Sequence, residues 1–393
     1  MSHATLPAFS LDPRRVIVLR AGAPRPQGRY VLYFCQVQKR AEWNPALDYA
    51  IEWANHLGLP VVVYEGLRPD YPHASWRHHR FILDGVQELA TRLSARGIAH
   101  WFFLPALGDR FPMVAELAAS AALVVTDDYP TFIVPRHNAK LQQTLDCPLY
   151  AVDGCDVVPL RVFARSFPSA AALRPHLHKL LPDLLIREDP SPVPLRDSLS
   201  MPLPSLPGLR RGTELPSDES ELDQLVAATG VDRSVRPALG VRGGRSAGLS
   251  RLTKFLRDGL PRYGDGRNLA DVDVTSGMSP YLHYGMLSAD EIARAAICAH
   301  PAGREDSSVA AFIEELLVRR HLAHNFCLFT KEHQTVAALP AWTQASMREH
   351  EQDKRVALYD LQQLLHGRTS DPLWNAIQTE LRELGEPHGY VLD

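Results

Sequence analysis

Residues 275–288, TSGMSPYLHYGMLS, gather hydroxyls, a glycine and a helix start into one short window. Ser279 reads as an N-cap, with Pro280 at the first helical position, where its missing N–H costs nothing. Thr275, Ser276 and the free amides of that helix start offer donors to an anion. A capped loop with no ligand gives the same pattern, so the window alone leaves both readings open. Residues 311–326 carry a second set. At about 100° per residue, Phe312, Ile313, Leu316 and Leu317 form one apolar sector, and Val318, Leu322 and Phe326 fill most of another. Such a helix is expected to be largely buried. Arg320 projects into the first sector, where an unpaired guanidinium is very costly and a bound anion would remove the cost. Glu315 and Arg319, four apart, predict a mild ion pair.

Between residues 242 and 267, Arg242, Arg245, Arg251, Lys254, Arg257, Arg262 and Arg267 are opposed only by Asp258 and Asp265. A solvated helix face explains such a run. A surface that tracks nucleic-acid phosphates is the sharper reading, with Gly243 and Gly244 allowing close backbone approach. His176 with His178, and His321 with His324, lack the third ligand of a metal site, so no metal is expected. Neither GxSxG nor HExxH occurs, and neither a GxGxxG fingerprint nor a P-loop is present. Trp374 lies beside the apolar stripe of Leu373, Ile377, Leu381 and Leu384, where packing is its default role.

The elements that must position these residues divide the chain. Strand-length apolar runs at 30–35, 60–64, 98–104, 123–126 and 149–152 alternate with amphipathic segments at 44–57 and 79–96. That alternation predicts a parallel sheet covered on both faces, with any ligand at the carboxyl ends of its strands. Six prolines between 190 and 207 then read as an extended connector. Beyond about residue 220 helical signals dominate. Ser288 with Glu291 forms a capping box, Ser307 or Ser308 caps the long helix, and a helix after Asp371 stops at Gly385. The expected units are an α/β domain over 1–160, a partly helical, proline-rich connector over 161–237, and an all-α domain over 238–393.

At 393 residues, 45% hydrophobic and 22% charged, the composition is that of an ordinary globular protein. A net charge of −3 excludes nucleic-acid binding through overall charge and leaves a local basic face open. The five cysteines form no CxxC pair, which suits a reducing compartment. No apolar leader core and no membrane-length run occurs, so a cytoplasmic location without a membrane partner is expected.

Together these segments resemble the DNA photolyase/cryptochrome family, and within it the class II cyclobutane-pyrimidine-dimer photolyases. The resemblance is carried by residues 30–55, 77–98 and 124–136 in the front half. In the helical half it is carried by RYGDGRN (262–268), TSGMSPYLHYGMLS (275–288), EELLVRRHLAHNFC (314–327) and SDPLWNAIQTEL (370–381), in the family's order. It implies a Rossmann-like α/β domain and an all-α FAD-binding domain. It also implies light-driven repair of pyrimidine dimers in DNA by electron transfer from reduced FAD. By the same resemblance Tyr263, Thr275, Ser276, Met278, Ser279, Arg320 and Asn375 would contact the flavin. Glu315 would contact the flipped dimer, and Trp374 would belong to an electron relay. Arg242, Arg245, Arg251, Lys254 and Arg319 are the expected DNA contacts. An antenna chromophore, a deazaflavin or a folate, is implied for the α/β domain, and a monomer acting on dimer-containing DNA for the whole.

The class II pattern continues past the WNAxQ element with further tryptophans and an Asn beside the flavin ring, whereas this sequence stops at Asp393. The expectation is therefore a helical domain lacking its C-terminal part. His321 stands where many relatives have Glu, and Arg319 where some have Trp. Besides a working photolyase, a photolyase-like protein with impaired FAD binding and no repair, or a cryptochrome-like blue-light signalling flavoprotein, fits the same motifs.

Overall fold

The computed structural model describes residues 9–185, 193–196 and 201–388. The first eight residues, Pro190 and Pro192 of the proline-rich stretch, and residues 389–393 lie outside them. Seven strands form one sheet: β1 (Val16–Arg20), β2 (Tyr30–Phe34), β3 (Val61–Gly66), β4 (Ala99–Phe103), β5 (Ala121–Asp128), β6 (Leu149–Asp153) and β7 (Leu209–Arg211). Their order is β1-β6-β5-β2-β3-β4-β7. The five central strands are parallel, as the strand–helix alternation requires. The edges β1 and β7 run antiparallel, so the sheet is mixed rather than wholly parallel. Neither edge is among the expected strands: β1 carries four apolar residues at 16–19 yet is only half buried, and β7 has three residues, two of them arginine.

The central strands alternate their side chains between two cores. Val31, Tyr33, Val61, Val63 and Val125 pack on the helix Pro45–Leu57, while Leu32, Val62, Trp101 and Val124 pack on Met113 and Leu117. The stretch 161–237 supplies β7 to one edge and lays the helix Glu219–Ala228 against Ile82, Leu83 and Val86 of the helix Trp76–Ala95.

The helical region has its own core. Leu173, Leu177 and Leu181 meet Phe255, Phe312, Leu316, Leu317 and Ile292. Its main element runs continuously over 307–329, with α-helix Ser307–Ile313, a π-helical turn Glu314–Arg319 and α-helix Arg320–Phe329. Asp306, not Ser307 or Ser308, caps it by accepting from the amides of Ser308 and Val309. Ser288 does cap Ala289–Cys298, but Glu291 turns away from the expected box to meet Arg245. The helix Pro372–Leu384 starts at Asp371 and stops at a left-handed Gly385, as the sequence signals imply.

Candidate flavin and DNA site

The 275–288 window is a tight loop running into a helix of five residues, Ser279–His283. Met278 rather than Ser279 takes the capping position, and Ser279 is the first helical residue. The reason is Met278's buried side chain, 2% exposed, which fixes the turn from inside while Ser276 Oγ accepts from the Met278 amide at 3.3 Å. One turn of helix aligns few peptide dipoles, so the anion-attracting power of this loop rests on side chains rather than on a macrodipole. Those side chains are available. Thr275 and Ser279 are exposed with no hydrogen bond among the described residues, and Ser276 is half-buried and spends its oxygen only as an acceptor.

Gly277 has φ +58°. A Cβ there would collide with the guanidinium of Arg251, which lies directly on the loop. Arg251 is in turn held by Glu386, with Nη1 donating to Oε1 at 3.3 Å and Nη2 donating to Oε2. Hydroxyls and a guanidinium around a glycine form a donor set that suits a diphosphate. The loop therefore fits the anionic part of a flavin dinucleotide.

Val274 packs against Gly259 and Gly266 and so brings the loop beside Tyr263. Tyr263 is buried, its ring 5.4 Å from Phe312 and 5.9 Å from Phe255. Burial, with the charge of Glu315 nearby, pushes its hydroxyl up to about 12. Tyr263, the hydroxyl loop and the first half of the long helix thus come together.

Arg320 lies farther along that helix and is not an unpaired cation. Its Nε donates to Asp156 Oδ1 at 3.1 Å, and the Nδ1 atoms of His324 and His321 lie 2.8 and 3.2 Å from Oδ2. Burial would raise the Asp156 carboxyl, but the facing His324 and His321 rings hold it well below the usual range. The burial cost that suggested a ligand at Arg320 is met by a carboxylate of the α/β domain. Arg320 also lines a narrow crevice with Gln38, Tyr129, Gly154 and Leu282. That crevice sits where β2, β5 and β6 end, the location expected for a ligand of a parallel sheet.

The π turn changes the ion pairing of the long helix. Arg319 approaches Glu314, five residues back, at 3.9 Å, and Arg174 grips the same Glu314 at 2.7 and 3.0 Å. The expected Glu315–Arg319 pair is absent, and Glu315 is exposed without an ion pair among the described residues. Trp374 and Asn375 are not brought to the hydroxyl loop. Asn375 clasps its own turn, Oδ1 accepting from the Thr369 amide at 2.9 Å, and Trp374 donates to the Leu364 carbonyl at 3.0 Å.

The basic stretch does not form one surface. Arg245 is buried between Glu291 at 2.5 Å and Glu42 at 3.2 Å, which makes it a strut between the two domains. Arg242 pairs with Glu219 at 3.0 Å, and Arg251 faces the loop. Lys254 remains exposed and outside any ion pair among the described residues, and Arg319 is 59% exposed. Asp156, Glu314 and Glu386 were invisible as partners in the sequence. Asp156 is 164 positions from Arg320 and Glu386 is 135 from Arg251, and no local spacing reports such pairs.

Known proteins share this organisation. Residues 31–195 match the model of the DNA photolyase family. The deoxyribodipyrimidine photo-lyase of Methanothermobacter thermautotrophicus is 32% identical over 383 residues, spanning 97% of this chain and 80% of that protein. Its counterpart from Arabidopsis thaliana is 30% identical over 97% of this chain and 76% of the relative, and that of Potorous tridactylus 30% identical over 93% and 66%. A bacterial class III photolyase from Agrobacterium tumefaciens superposes with a TM-score of 0.61 at 17% identity, covering 94% of this chain and 72% of that one. A Synechocystis cryptochrome does so with a TM-score of 0.63 at 21% identity, over 92% and 72%. These two share the fold. The chain belongs to the DNA photolyase/cryptochrome family.

Proposed function

We propose that this protein is a class II type photolyase that repairs cyclobutane pyrimidine dimers in DNA in a light-dependent reaction, with FAD as its cofactor. The observation that carries the reading is Glu315, an exposed carboxylate left without an ion pair by the π turn and set next to the buried Tyr263. When bound, reduced FAD supplies a light-driven electron donor for opening the cyclobutane ring. Thr275, Ser276 and Ser279 would hold its diphosphate through their hydroxyls, with Arg251 balancing the charge. Buried Tyr263 backs the loop, and buried Met278 keeps it in shape.

The dimer must leave the base stack to be reached. Glu315 accepts from, or when protonated donates to, the polar edges of the extruded bases, so a group fixed in place meets charge that develops there. Lys254 and Arg319, both exposed, contact backbone phosphates. An antenna chromophore, a deazaflavin or a folate, would be held at the carboxyl ends of the parallel strands of the α/β domain.

The test is illumination of the FAD-loaded protein with a thymine-dimer oligonucleotide. Repair in blue light and none in the dark is expected. Flavin photoreduction without repair would favour light signalling instead, and failure to retain flavin would contradict the reading at its base.

A further inference from the structure

Arg251 and Glu386 form a contact that the repair chemistry has no use for. Arg251 lies in the last turn of the helix Arg245–Lys254 and places its guanidinium against Gly277, a position that only a residue without a side chain leaves open. Glu386 follows the left-handed stop Gly385 and engages Arg251 through both carboxylate oxygens. Its side chain is only 25% exposed. The segment carrying it is fastened from behind. Arg77 of the α/β domain donates to the carbonyls of Leu381, at 2.8 Å, and Arg382, and the Leu239 amide donates to the Glu383 carbonyl at 3.0 Å. Glu386 is therefore delivered to the loop by an anchored strap.

A carboxylate engaged bidentately by a guanidinium, beside a glycine and the unspent hydroxyls of Thr275 and Ser279, stands where a phosphate group would be bound. We propose that Glu386 is an intramolecular stand-in for a ligand phosphate, so that a diphosphate ligand takes Arg251 only by displacing Glu386. This rests on the reading of the 275–279 loop as a diphosphate site. Burial raises the Glu386 carboxyl despite the Arg251 charge, which marks the seat as unfavourable for a carboxylate. Release of Glu386 to solvent relieves that strain, while the diphosphate inherits the guanidinium. An occupied seat lowers the apparent affinity by the fraction of molecules in which Arg251 is free.

The proposal is tested by titrating FAD and, separately, inorganic pyrophosphate into the full chain and into Glu386→Gln, Glu386→Asp, Arg251→Gln, the double variant Arg251→Gln/Glu386→Gln and Thr275→Val/Ser276→Ala. Each variant is checked for an unchanged thermal transition. Glu386→Gln is expected to tighten both ligands about tenfold, with Glu386→Asp closer to the parent. Arg251→Gln should weaken both, and in the double variant the gain from Glu386→Gln should vanish. Parental affinity in Glu386→Gln, together with loss of binding in Thr275→Val/Ser276→Ala, overturns the stand-in and leaves the diphosphate loop intact. No binding of either ligand to any variant, Glu386→Gln included, overturns both.

Discussion

Two carboxylates on or against the long helix behave in opposite ways, and their surroundings say why. Asp156 is 5% exposed and is met by Arg320, His321 and His324, so its charge is spent on holding the helical region to the end of β6. Replacing it with Asn leaves Arg320 half-buried without its counter-charge, a loss of about 3–5 kcal/mol for a broken buried pair. A correspondingly lower urea midpoint is expected for Asp156→Asn, with the same spectroscopic secondary structure. Among the described residues Glu315 has no such partner, and it is exposed to meet a substrate. Glu315→Gln is expected to weaken binding of dimer-containing DNA roughly tenfold, since a hydrogen bond to a charged group contributes about 1.5–3 kcal/mol. Binding of undamaged DNA and flavin content should stay unchanged, as read by fluorescence anisotropy and by absorbance. From the sequence, Arg320 was legible as a buried cation needing an anion. That the anion is Asp156 was not, because the partner lies in another domain and only the fold brings it near.

The π turn Glu314–Arg319 is the element that separates the two pairings. A helical wheel with 3.6 residues per turn aligns Glu315 with Arg319, whereas a π turn aligns residues five apart and so gives Arg319 to Glu314. Hydrophobic spacing marked the helix, its burial and its approximate ends, because those depend on which side faces the core. It carried no mark of one extra residue in a turn. The same limit applies to the basic stretch, where composition gave the charges and only packing sorted them. Arg245→Glu is therefore expected to lower thermal stability sharply. Lys254→Glu should leave the melting temperature alone and reduce the slope of log affinity for DNA against log salt by about one. An equal effect of the two on that slope would restore the single basic surface.

The whole molecule depends on how closely its two regions approach. Gly285, with φ +62°, lets its backbone meet Val37 at the end of β2, and Arg40 donates to the Gly285 carbonyl at 2.9 Å. Beside this seam the buried pair of Lys39 and Glu65 closes at 2.5 Å. Burial would raise Glu65, yet the Lys39 ammonium and His100 hold it down to about 2. A carboxylate depressed from 4.5 contributes stability that is full above pH 4.5 and is lost as the pH falls towards 2. The urea midpoint is expected to fall through that window, and Glu65→Gln should flatten the fall while lowering stability at neutral pH. The five parallel strands were legible because strands buried on both faces spell continuous apolar runs. The seam was not, since the glycines and arginines that form it look like loop residues until both sides are in place. The claim on which the rest depends is that this assembled loop, Tyr263 and Arg251 hold a flavin diphosphate. A crystal structure of the chain with FAD tests it most directly. The diphosphate is expected within hydrogen-bond distance of the Thr275 and Ser276 hydroxyls and of Arg251, with Glu386 turned away. A flavin bound elsewhere, with Arg251 still on Glu386, would contradict it.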